Sequence, residues 1–200
     1  AAAKRVEANL LDGTTKPMLN RAIQEIYAPG STFKPATSIA ALETGVITPS
    51  SSTIRCVGTQ SIANWTWHCL EYPRTGHGDL TLTRGLATSC NMYFYNLGNR
   101  TGIEAIDKYA GLLGLGELTG IDLPNEAKGY RSSKQTKTLL RSNPAEQLWY
   151  PADTCQTAIG QFDNSYTVIQ LATYTAALAT GNKVSSHPID TLTPPAGGTL

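Results

Sequence analysis

Apolar and small residues recur at helical spacing in several stretches of the chain. The pattern predicts a helix over residues 31–44 that ends at Gly45, an amphipathic helix over residues 103–113, and a last helix over residues 167–180 that ends at Gly181. The first helix is rich in small residues on every side, which is typical of a helix buried on most faces. The inward face predicted for the last helix comprises Val168, Leu171, Ala172, Thr175 and Leu178.

The pattern is weaker between these helices. Residues 81–97 predict a helix that is broken near Ser89, and residues 46–80, rich in serine, threonine, glycine and aromatic residues, predict loops with short strands. Residues 127–147 are polar and lean basic without a core pattern, which predicts an exposed connection. The chain is therefore predicted to be mostly helical, with little strand.

The composition is that of an ordinary globular domain. The chain has 200 residues, of which 40% are hydrophobic and 16% charged, and its net charge is +1, so neither disorder nor nucleic-acid binding is indicated. It has no run of about 18 apolar residues, and no apolar signal-peptide segment follows its first residues. We therefore expect any membrane attachment to lie outside this segment.

The four cysteines and three histidines show no zinc spacing, because no C-x-x-C is present and the histidines are scattered. We predict neither a metal nor a cofactor. For Cys56 and Cys69 two alternatives stay open, a disulfide that closes a short loop or two separate buried thiols. Cys90 is expected to be a small buried apolar residue rather than a reactive thiol, and His68 and His77 are expected to be loop residues rather than acids or bases.

Candidate chemistry is concentrated in residues 29–35, which read P-G-S-T-F-K-P. Ser31 and Lys34 are three positions apart at a predicted helix start, so their side chains share a face. A serine hydroxyl becomes a nucleophile when a base removes its proton, and a buried lysine amine with a lowered pKa can be that base. The backbone N–H groups of the helix start also favour an oxyanion. Because S-x-x-K is common by chance, its meaning depends on the rest of the chain.

A second serine motif, T-S-C-N, follows at residues 88–91 and contains Ser89 and Asn91. A serine with an asparagine two positions later is the second element of the set shared by penicillin-binding proteins and class A β-lactamases, whose first element is S-x-x-K. The two motifs occur here in the expected order, which favours an acyl-transfer site over a chance match.

Three further strings appear in the expected order: N-R-A-I-Q-E-I-Y at residues 20–27 before the first motif, T-G-I-D-L-P-N-E at residues 119–126, and W-Y-P-A-D-T at residues 149–154 through A-I-G-Q at residues 158–161. With the two serine motifs, they resemble the transpeptidase domain of class B penicillin-binding proteins, closest to those of Gram-positive, clostridial type. The resemblance extends from about Leu19 to Asn182 and is carried by five ordered strings.

The resemblance implies an α/β fold of the penicillin-binding, β-lactamase-like type, in which a five-stranded antiparallel sheet flanked by helices lies beside a helical subdomain. This chain resembles an internal fragment with the catalytic helix and the helical subdomain, and most of the sheet is missing. The predicted organisation is one partial transpeptidase domain over residues 1–200. Its parts are a lead-in at 1–28, the catalytic helix at 29–45, a mainly helical subdomain at 46–182 and a tail at 183–200.

The third motif of the family, Lys-(Thr/Ser)-Gly, is missing from its expected place after the last helix. Residues 137–139 read K-T-L, while residues 74–76 and 100–102 read R-T-G but fall where a loop and a helix end are predicted. In the family this motif supplies one oxyanion N–H, and losing one such donor costs about 3–4 kcal/mol of transition-state stabilisation. The 200-residue chain alone is therefore expected to be inactive.

The resemblance implies D,D-transpeptidation in cell-wall synthesis without metal or cofactor. Ser31 is expected to attack the D-Ala-D-Ala amide of a stem peptide after Lys34 removes its proton. Ser89 is expected to relay that proton to the leaving group, and Asn91 to bind the acyl amide. The implied partners are peptidoglycan stem peptides, β-lactams as covalent inhibitors, and elongation or division proteins, in an extracytoplasmic location and without nucleic acid.

Three alternatives remain at this point. A serine β-lactamase needs a base that positions water, and no string resembles the glutamate-bearing loop of class A enzymes, since Glu126 and Glu146 are isolated. A β-lactam sensor would be acylated without turnover, but residues 119–126 favour the synthetic enzyme. A non-catalytic scaffold that contacts partner proteins is favoured only by the missing third motif.

Overall fold

A computed structural model describes residue 6 and residues 9–181 of the chain, so the predicted tail at 183–200 lies outside the described residues. The α-helices are α1 Arg21–Gln24, α2 Lys34–Glu43, α3 Leu82–Ala87, α4 Asn91–Thr101, α5 Ile103–Leu112, α6 Lys134–Leu140, α7 Pro144–Gln147, α8 Pro151–Ala158 and α9 Val168–Thr180. The strands are β1 Ile26–Tyr27, β2 Ile54–Cys56, β3 Thr59–Ile62, β4 Trp65–His68, β5 Gly78–Leu80 and β6 Tyr166–Thr167.

The strands form three separate antiparallel pairs, β1 with β6, β2 with β5, and β3 with β4. The described residues are thus mostly helical with few strands, as the sequence predicts. Short strands lie within residues 46–80, also as predicted. None of the helices in the described part of the chain combines the length and the apolar character that a bilayer span requires.

The predicted helix over residues 31–44 is two elements. A 3₁₀ turn, Gly30–Phe33, precedes α2, and the N–H of Lys34 bonds to the carbonyl of Ser31. Pro35 has no N–H to donate to that carbonyl, so the first turn is closed by an i→i+3 bond instead of an α-helical one. The end of the helix was predicted correctly, because Gly45 follows it in the left-handed conformation.

The break near Ser89 is confirmed. Helix α3 ends at Ala87 and α4 begins at Asn91, and Ser89 between them has a φ of +50°. The Cys90 sulfur accepts a hydrogen bond from the N–H of Tyr93 at 3.4 Å, which caps α4. The second serine motif therefore lies in a tight link between two helices rather than within one.

Two apolar clusters form the core. One surrounds α4 and includes Met92, Phe94 and Trp67, and the other packs around α2. Two alanines of α2, Ala36 and Ala40, are fully buried in the second cluster, which also contains residues of α5 and α9. The prediction that this small-residue helix is buried on most faces is confirmed.

Most of residues 127–147 are exposed, as the sequence predicts, but the segment is not a plain connection, because it contains α6 and α7. Lys137 on α6 is buried, and its ammonium donates to Asp153 at 2.6 Å and to the carbonyl oxygen of Leu148 at 2.6 Å. The ring of Trp149 also faces this ammonium. The burial of Lys137 was missed because a lysine that is buried with a carboxylate partner cannot be told from a solvated one by hydropathy.

The last helix is confirmed, with its N-cap at Thr167 and left-handed Gly181 after it. Its predicted inward face is only partly right, since Leu171 and Leu178 pack against the second cluster whereas Val168, Ala172 and Thr175 are exposed. The buried residues of α9 are Gln170, Tyr174 and Ala177. The amide of Gln170 donates to two backbone carbonyls, at 2.6 and 2.8 Å. Polar side chains with fixed backbone partners therefore determine which face of α9 is buried.

Candidate functional site

The turn that carries Ser31 is held against the loop after α8. The N–H of Gly30 donates to the carbonyl of Gly160 at 2.9 Å. A Cβ at Gly160 would lie 2.1 Å from the carbonyl oxygen of Gly30, and Gly160 has a φ of +73°, so only glycine fits there. The A-I-G-Q string at residues 158–161 thus has a structural role, and Ser31 is exposed on the turn.

Helix α9 fastens the same turn from the other side. The Tyr174 hydroxyl accepts a hydrogen bond from the N–H of Ala36 at 3.1 Å and donates to the carbonyl of Thr32 at 3.2 Å. Sequence reasoning missed this contact, because Tyr174 lies outside every motif. Its only signal was an aromatic residue in a helix otherwise rich in alanine and threonine.

Lys34 is 1% exposed, and its ammonium donates three hydrogen bonds. The acceptors are the carbonyl oxygen of Ser89 at 2.7 Å, the Ser89 hydroxyl at 2.9 Å and Asn91 Oδ1 at 2.7 Å. The structure therefore brings Lys34, Ser89 and Asn91 together. Among the described residues no hydrogen bond joins the Lys34 ammonium to the Ser31 hydroxyl, and the two residues are linked only by the backbone bond of the 3₁₀ turn.

Burial lowers the pKa of Lys34 from its ordinary value of 10.5 to about 8, although the nearby Cys90 and Cys69 sulfurs oppose the shift. The Phe94 ring lies 5.4 Å from the ammonium and forms part of its apolar surroundings. A lysine with this pKa is partly neutral near pH 7–8, and its amine can then take a proton from a hydroxyl. The arrangement is suited to general acid–base catalysis with a serine hydroxyl.

The three bonds of Lys34 explain how that proton could move. As an ammonium, Lys34 uses all of its N–H donors on Ser89 and Asn91, so it has no lone pair for another group. Loss of one proton creates a lone pair, which can accept a proton from a hydroxyl. Ser89 is already within bonding distance, and Ser31 is on the turn directly before Lys34.

A second cluster lies directly behind this network. The sulfur atoms of Cys56, Cys69 and Cys90 and a ring nitrogen of His77 all lie within 4.8 Å of one another, and the three cysteines are buried. All three are free thiols, so the disulfide alternative for Cys56 and Cys69 is wrong and the alternative of separate buried thiols is confirmed. Cys90 is buried as predicted, but it contacts Cys69, as does His77.

The spacing of this cluster fits a tetrahedral zinc ion. Zn–S bonds of about 2.3 Å place two thiolates about 3.8 Å apart, and a thiolate and an imidazole nitrogen about 3.6 Å apart. The sulfur atoms of Cys69 and Cys90 are 3.8 Å apart, and His77 Nδ1 is 3.3 Å from Cys69 Sγ and 3.7 Å from Cys56 Sγ. Three thiols and one imidazole are soft ligands that suit zinc.

The fold thus brings together four side chains with metal-ligand atoms that their spacing in the sequence does not indicate. The four ligands are 13, 8 and 13 positions apart and come from the end of β2, the end of β4, the start of β5 and the link before α4. Close-packed backbones bring these segments together, because Gly58 and Gly76 each leave no room for a Cβ against the other's loop. A local spacing rule cannot detect ligands assembled from a folded hairpin and a distant helix link.

The two R-T-G strings have structural roles. Gly102 is the C-cap of α4 with a φ of +82°, as predicted. Gly76 has a φ of +80°, and a Cβ there would lie 2.3 Å from the N atom of Gly58. Residues 74–76 thus form the close turn beside the four-ligand cluster.

Comparison with known proteins gives consistent matches. The profile of the family described as "Penicillin binding protein transpeptidase domain" matches residues 2–194. The chain is 32% identical over 181 residues to the peptidoglycan D,D-transpeptidase MrdA of Acinetobacter baumannii, covering 90% of this chain and 26% of that protein. The chain therefore spans about a quarter of the length of this curated relative.

Solved structures match as well. The structure of Pseudomonas aeruginosa PBP2 in complex with WCK 5153 aligns with a TM-score of 0.81 at 32% identity, covering 92% of this chain and 41% of that one. The complex between PBP2 and MreC from Helicobacter pylori aligns with a TM-score of 0.83 at 32% identity, covering 96% of this chain and 35% of that one.

Proposed function

Because this chain belongs to the penicillin-binding protein transpeptidase family, we propose that it carries the acyl-transfer residues of a peptidoglycan D,D-transpeptidase. Ser31 attacks the carbonyl of the penultimate D-alanine of a stem peptide, and the terminal D-alanine leaves. An amine of a neighbouring stem then attacks the ester on Ser31, which forms the cross-link and frees the serine. Neither step requires a cofactor, because each replaces one bond to the acyl carbon with another.

The roles follow from the Lys34 network. Neutral Lys34 takes the proton of Ser31, and the Ser89 hydroxyl passes it to the leaving nitrogen, since the Lys34 nitrogen and that hydroxyl are 2.9 Å apart. Asn91 Oδ1 holds the lysine at 2.7 Å, and its amide nitrogen donates to the acyl carbonyl of the substrate. The observation that carries the proposal is this triple bonding of one buried lysine to the second serine motif.

The test is acylation by a fluorescent penicillin, in a protein that carries this chain together with a Lys-(Ser/Thr)-Gly segment of the family. Ser31→Ala should abolish labelling, whereas Ser61→Ala, at an exposed serine of β3, should not change it. Lys34→Ala should slow labelling by about 10²- to 10⁴-fold, the usual range for loss of a general base. Labelling that survives in Ser31→Ala would refute the nucleophile.

The same experiment separates the alternatives. A transpeptidase stays acylated for long periods, a serine β-lactamase releases hydrolysed drug rapidly, and a scaffold is not labelled. A sensor is labelled but does not transfer a D-Ala-D-Ala stem peptide to an amine acceptor. Production of a cross-linked stem dimer, lost in Ser31→Ala, is the outcome that the proposal requires.

Partners and location follow from the same assignment. The Helicobacter pylori PBP2 that this chain resembles forms a complex with MreC. By analogy, elongation proteins are the partners proposed for a protein that carries this chain, and its stem-peptide substrate places it outside the cytoplasm. Co-purification of such a protein with its own MreC homologue tests the partner assignment independently of acylation.

We also infer that Cys56, Cys69, His77 and Cys90 hold one zinc ion, which the donor set and the 3.3–3.8 Å spacings support. The ion would have a structural role, because four protein ligands leave no open position for substrate. Its effect is to tie the loops around β2, β4 and β5 to the link that carries the second serine motif.

A further inference from the structure

Cys90 belongs to two systems at once. Its sulfur is part of the four-ligand cluster, and its backbone joins Ser89 to Asn91, the two residues that hold Lys34. The same sulfur also caps α4 by accepting the N–H of Tyr93. A displacement of the Cys90 sulfur that also moves its backbone is therefore transmitted to the second serine motif.

The nearest reactive neighbour of Cys90 is another thiol. Its sulfur is 3.8 Å from that of Cys69, and both residues are buried and free. A bound zinc ion holds such sulfurs about 3.8 Å apart and slows their oxidation, because it shares the thiolate electron density that would attack an oxidant. Without metal, the pair is placed for direct disulfide formation.

We infer that Cys69 and Cys90 form a disulfide when the metal is lost and a peroxide is present, and that this bond withdraws Ser89 and Asn91 from Lys34. The inference rests on the proposed metal centre and on the proposed role of the lysine network. The inferred disulfide requires that two neighbouring metal ligands are both cysteine thiols.

The chemistry balances with hydrogen peroxide as the oxidant. One thiolate attacks a peroxide oxygen, the O–O bond breaks, and a sulfenic acid forms with release of water once the hydroxide is protonated. The second sulfur then attacks the sulfenic sulfur, the S–O bond breaks, and a second water leaves as the S–S bond forms. Two thiols and one peroxide give one disulfide and two waters, and a dithiol reductant reverses the change.

The geometry indicates which of the two cysteines must move for the disulfide to form. The sulfurs must approach from 3.8 Å to about 2.05 Å. Both backbones are held by an N–H bond, but that of Cys69 to the carbonyl of Gly58 is shorter, at 2.7 Å, than that of Cys90 to the carbonyl of Gly85, at 3.0 Å. Ser89 has a left-handed φ of +50°, an unfavourable backbone for a serine that is free to relax once its surroundings move. The link between α3 and α4 is thus the side that gives way, and bonds of 2.7–2.9 Å from Lys34 to this link are lost.

The test compares two variants of the 200-residue chain that differ by one sulfur. Both carry Cys155→Ser and Cys56→Ser, so both lack a complete metal site, and the second also carries Cys69→Ser. After chelation and treatment with hydrogen peroxide, the first should lose about 2 Da by forming one disulfide, and the second should not. Digestion with trypsin and chymotrypsin should give a linked pair of peptides that contain Cys69 and Cys90.

The effect of oxidation on the second serine motif is measured without an activity assay. The NMR signals of the Lys34 side chain should shift on oxidation in the first variant, return on reduction, and stay unchanged in the second. A circular dichroism spectrum confirms that both variants fold. If either fails to fold, the chelated native chain is used, because chymotrypsin cleaves after Trp67 and so separates Cys56 from Cys69 in the peptide map.

The possible outcomes test separately the disulfide, its effect on Lys34 and the proposed function. No cross-link between Cys69 and Cys90 would overturn the inference, and so would a cross-link that leaves the Lys34 signals unchanged. In an active protein that carries the chain, oxidation should lower penicillin labelling about tenfold or more in the first variant only, the loss expected when positioned donors are withdrawn. Absence of labelling even in reduced protein would contradict the proposed function but not the disulfide.

Discussion

Lys34 bonds to Ser89 through both the backbone oxygen and the hydroxyl of that serine, at 2.7 and 2.9 Å. The bond to the backbone does not depend on the identity of the side chain. Removal of the hydroxyl therefore leaves the lysine anchored, so the chemical role of Ser89 can be separated from its structural role. Ser89→Ala should keep the fold and the position of Lys34 while it removes the proposed proton relay.

The pH dependence of acylation should follow Lys34. Its amine is the proposed base, so the rate should rise as pH increases through about 8, the pKa to which burial lowers it. At pH 7 about one lysine in ten is then neutral, so the rate should be about tenfold below its high-pH limit. An NMR titration of the Lys34 side-chain carbon next to the amine gives the pKa directly. A flat rate between pH 6.5 and 9 would contradict the assignment, and Lys34→Arg, which stays charged, should not be labelled.

Tyr174→Phe should destabilise the turn that carries Ser31. The change removes the acceptor for the N–H of Ala36 and the donor to the carbonyl of Thr32, and an unpaired buried backbone group costs about 1–3 kcal/mol. We expect a loss of this size in the free energy of unfolding, measured by chemical denaturation. Tyr130→Phe, at a partly exposed tyrosine, is the matched control and should change it by less than about 0.5 kcal/mol.

Lysines on the same helix should differ sharply in their contribution to stability. Lys137 is buried and pairs with Asp153 at 2.6 Å, whereas Lys134 pairs with Glu104 where both side chains are exposed. Lys137→Met leaves a buried carboxylate without its partner and should cost about 3–5 kcal/mol, while Lys134→Met should cost about 0–1 kcal/mol. Equal effects in urea denaturation would show that the buried pair is solvated. Lys137→Met combined with Asp153→Leu should recover part of the loss.

Metal analysis should find one zinc ion per chain after purification without chelator. Cys56→Ser should lower the bound zinc and the melting temperature, because it removes one of four ligands. Cys155→Ser, at a buried cysteine outside the cluster, should keep the full zinc content. Zinc that is retained in a variant lacking both Cys56 and Cys69 would refute the site.

Local signals predicted much of the fold. The ends of the helices at Gly45 and Gly181 were predicted correctly, because glycine adopts the left-handed backbone without strain, and the break near Ser89 was also predicted correctly. The buried state of α2 followed from its small side chains. These features are determined within a few positions of sequence, where periodicity and capping rules apply.

The features that sequence reasoning missed are long-range. Tyr174 bonds to Ala36 across 138 positions, and the ligands of the cysteine cluster come from four separate segments. Lys137 appeared solvated because its partner Asp153 lies on another helix. No local pattern encodes such contacts. The grouping of Lys34 with the second serine motif was predictable only because the order of several motifs indicated a family.

The hydrogen bond between Ala36 and Tyr174 also affects how the chain folds during its synthesis. Synthesis runs at about 5–20 residues per second, so the tyrosine is added roughly 7–28 seconds after its backbone partner. Throughout that interval the turn that carries Ser31 has no hydroxyl to fasten it. The segment that would react with an antibiotic is translated early but gains its final shape late, and a nascent chain that stalls before α9 would present a serine without a formed site.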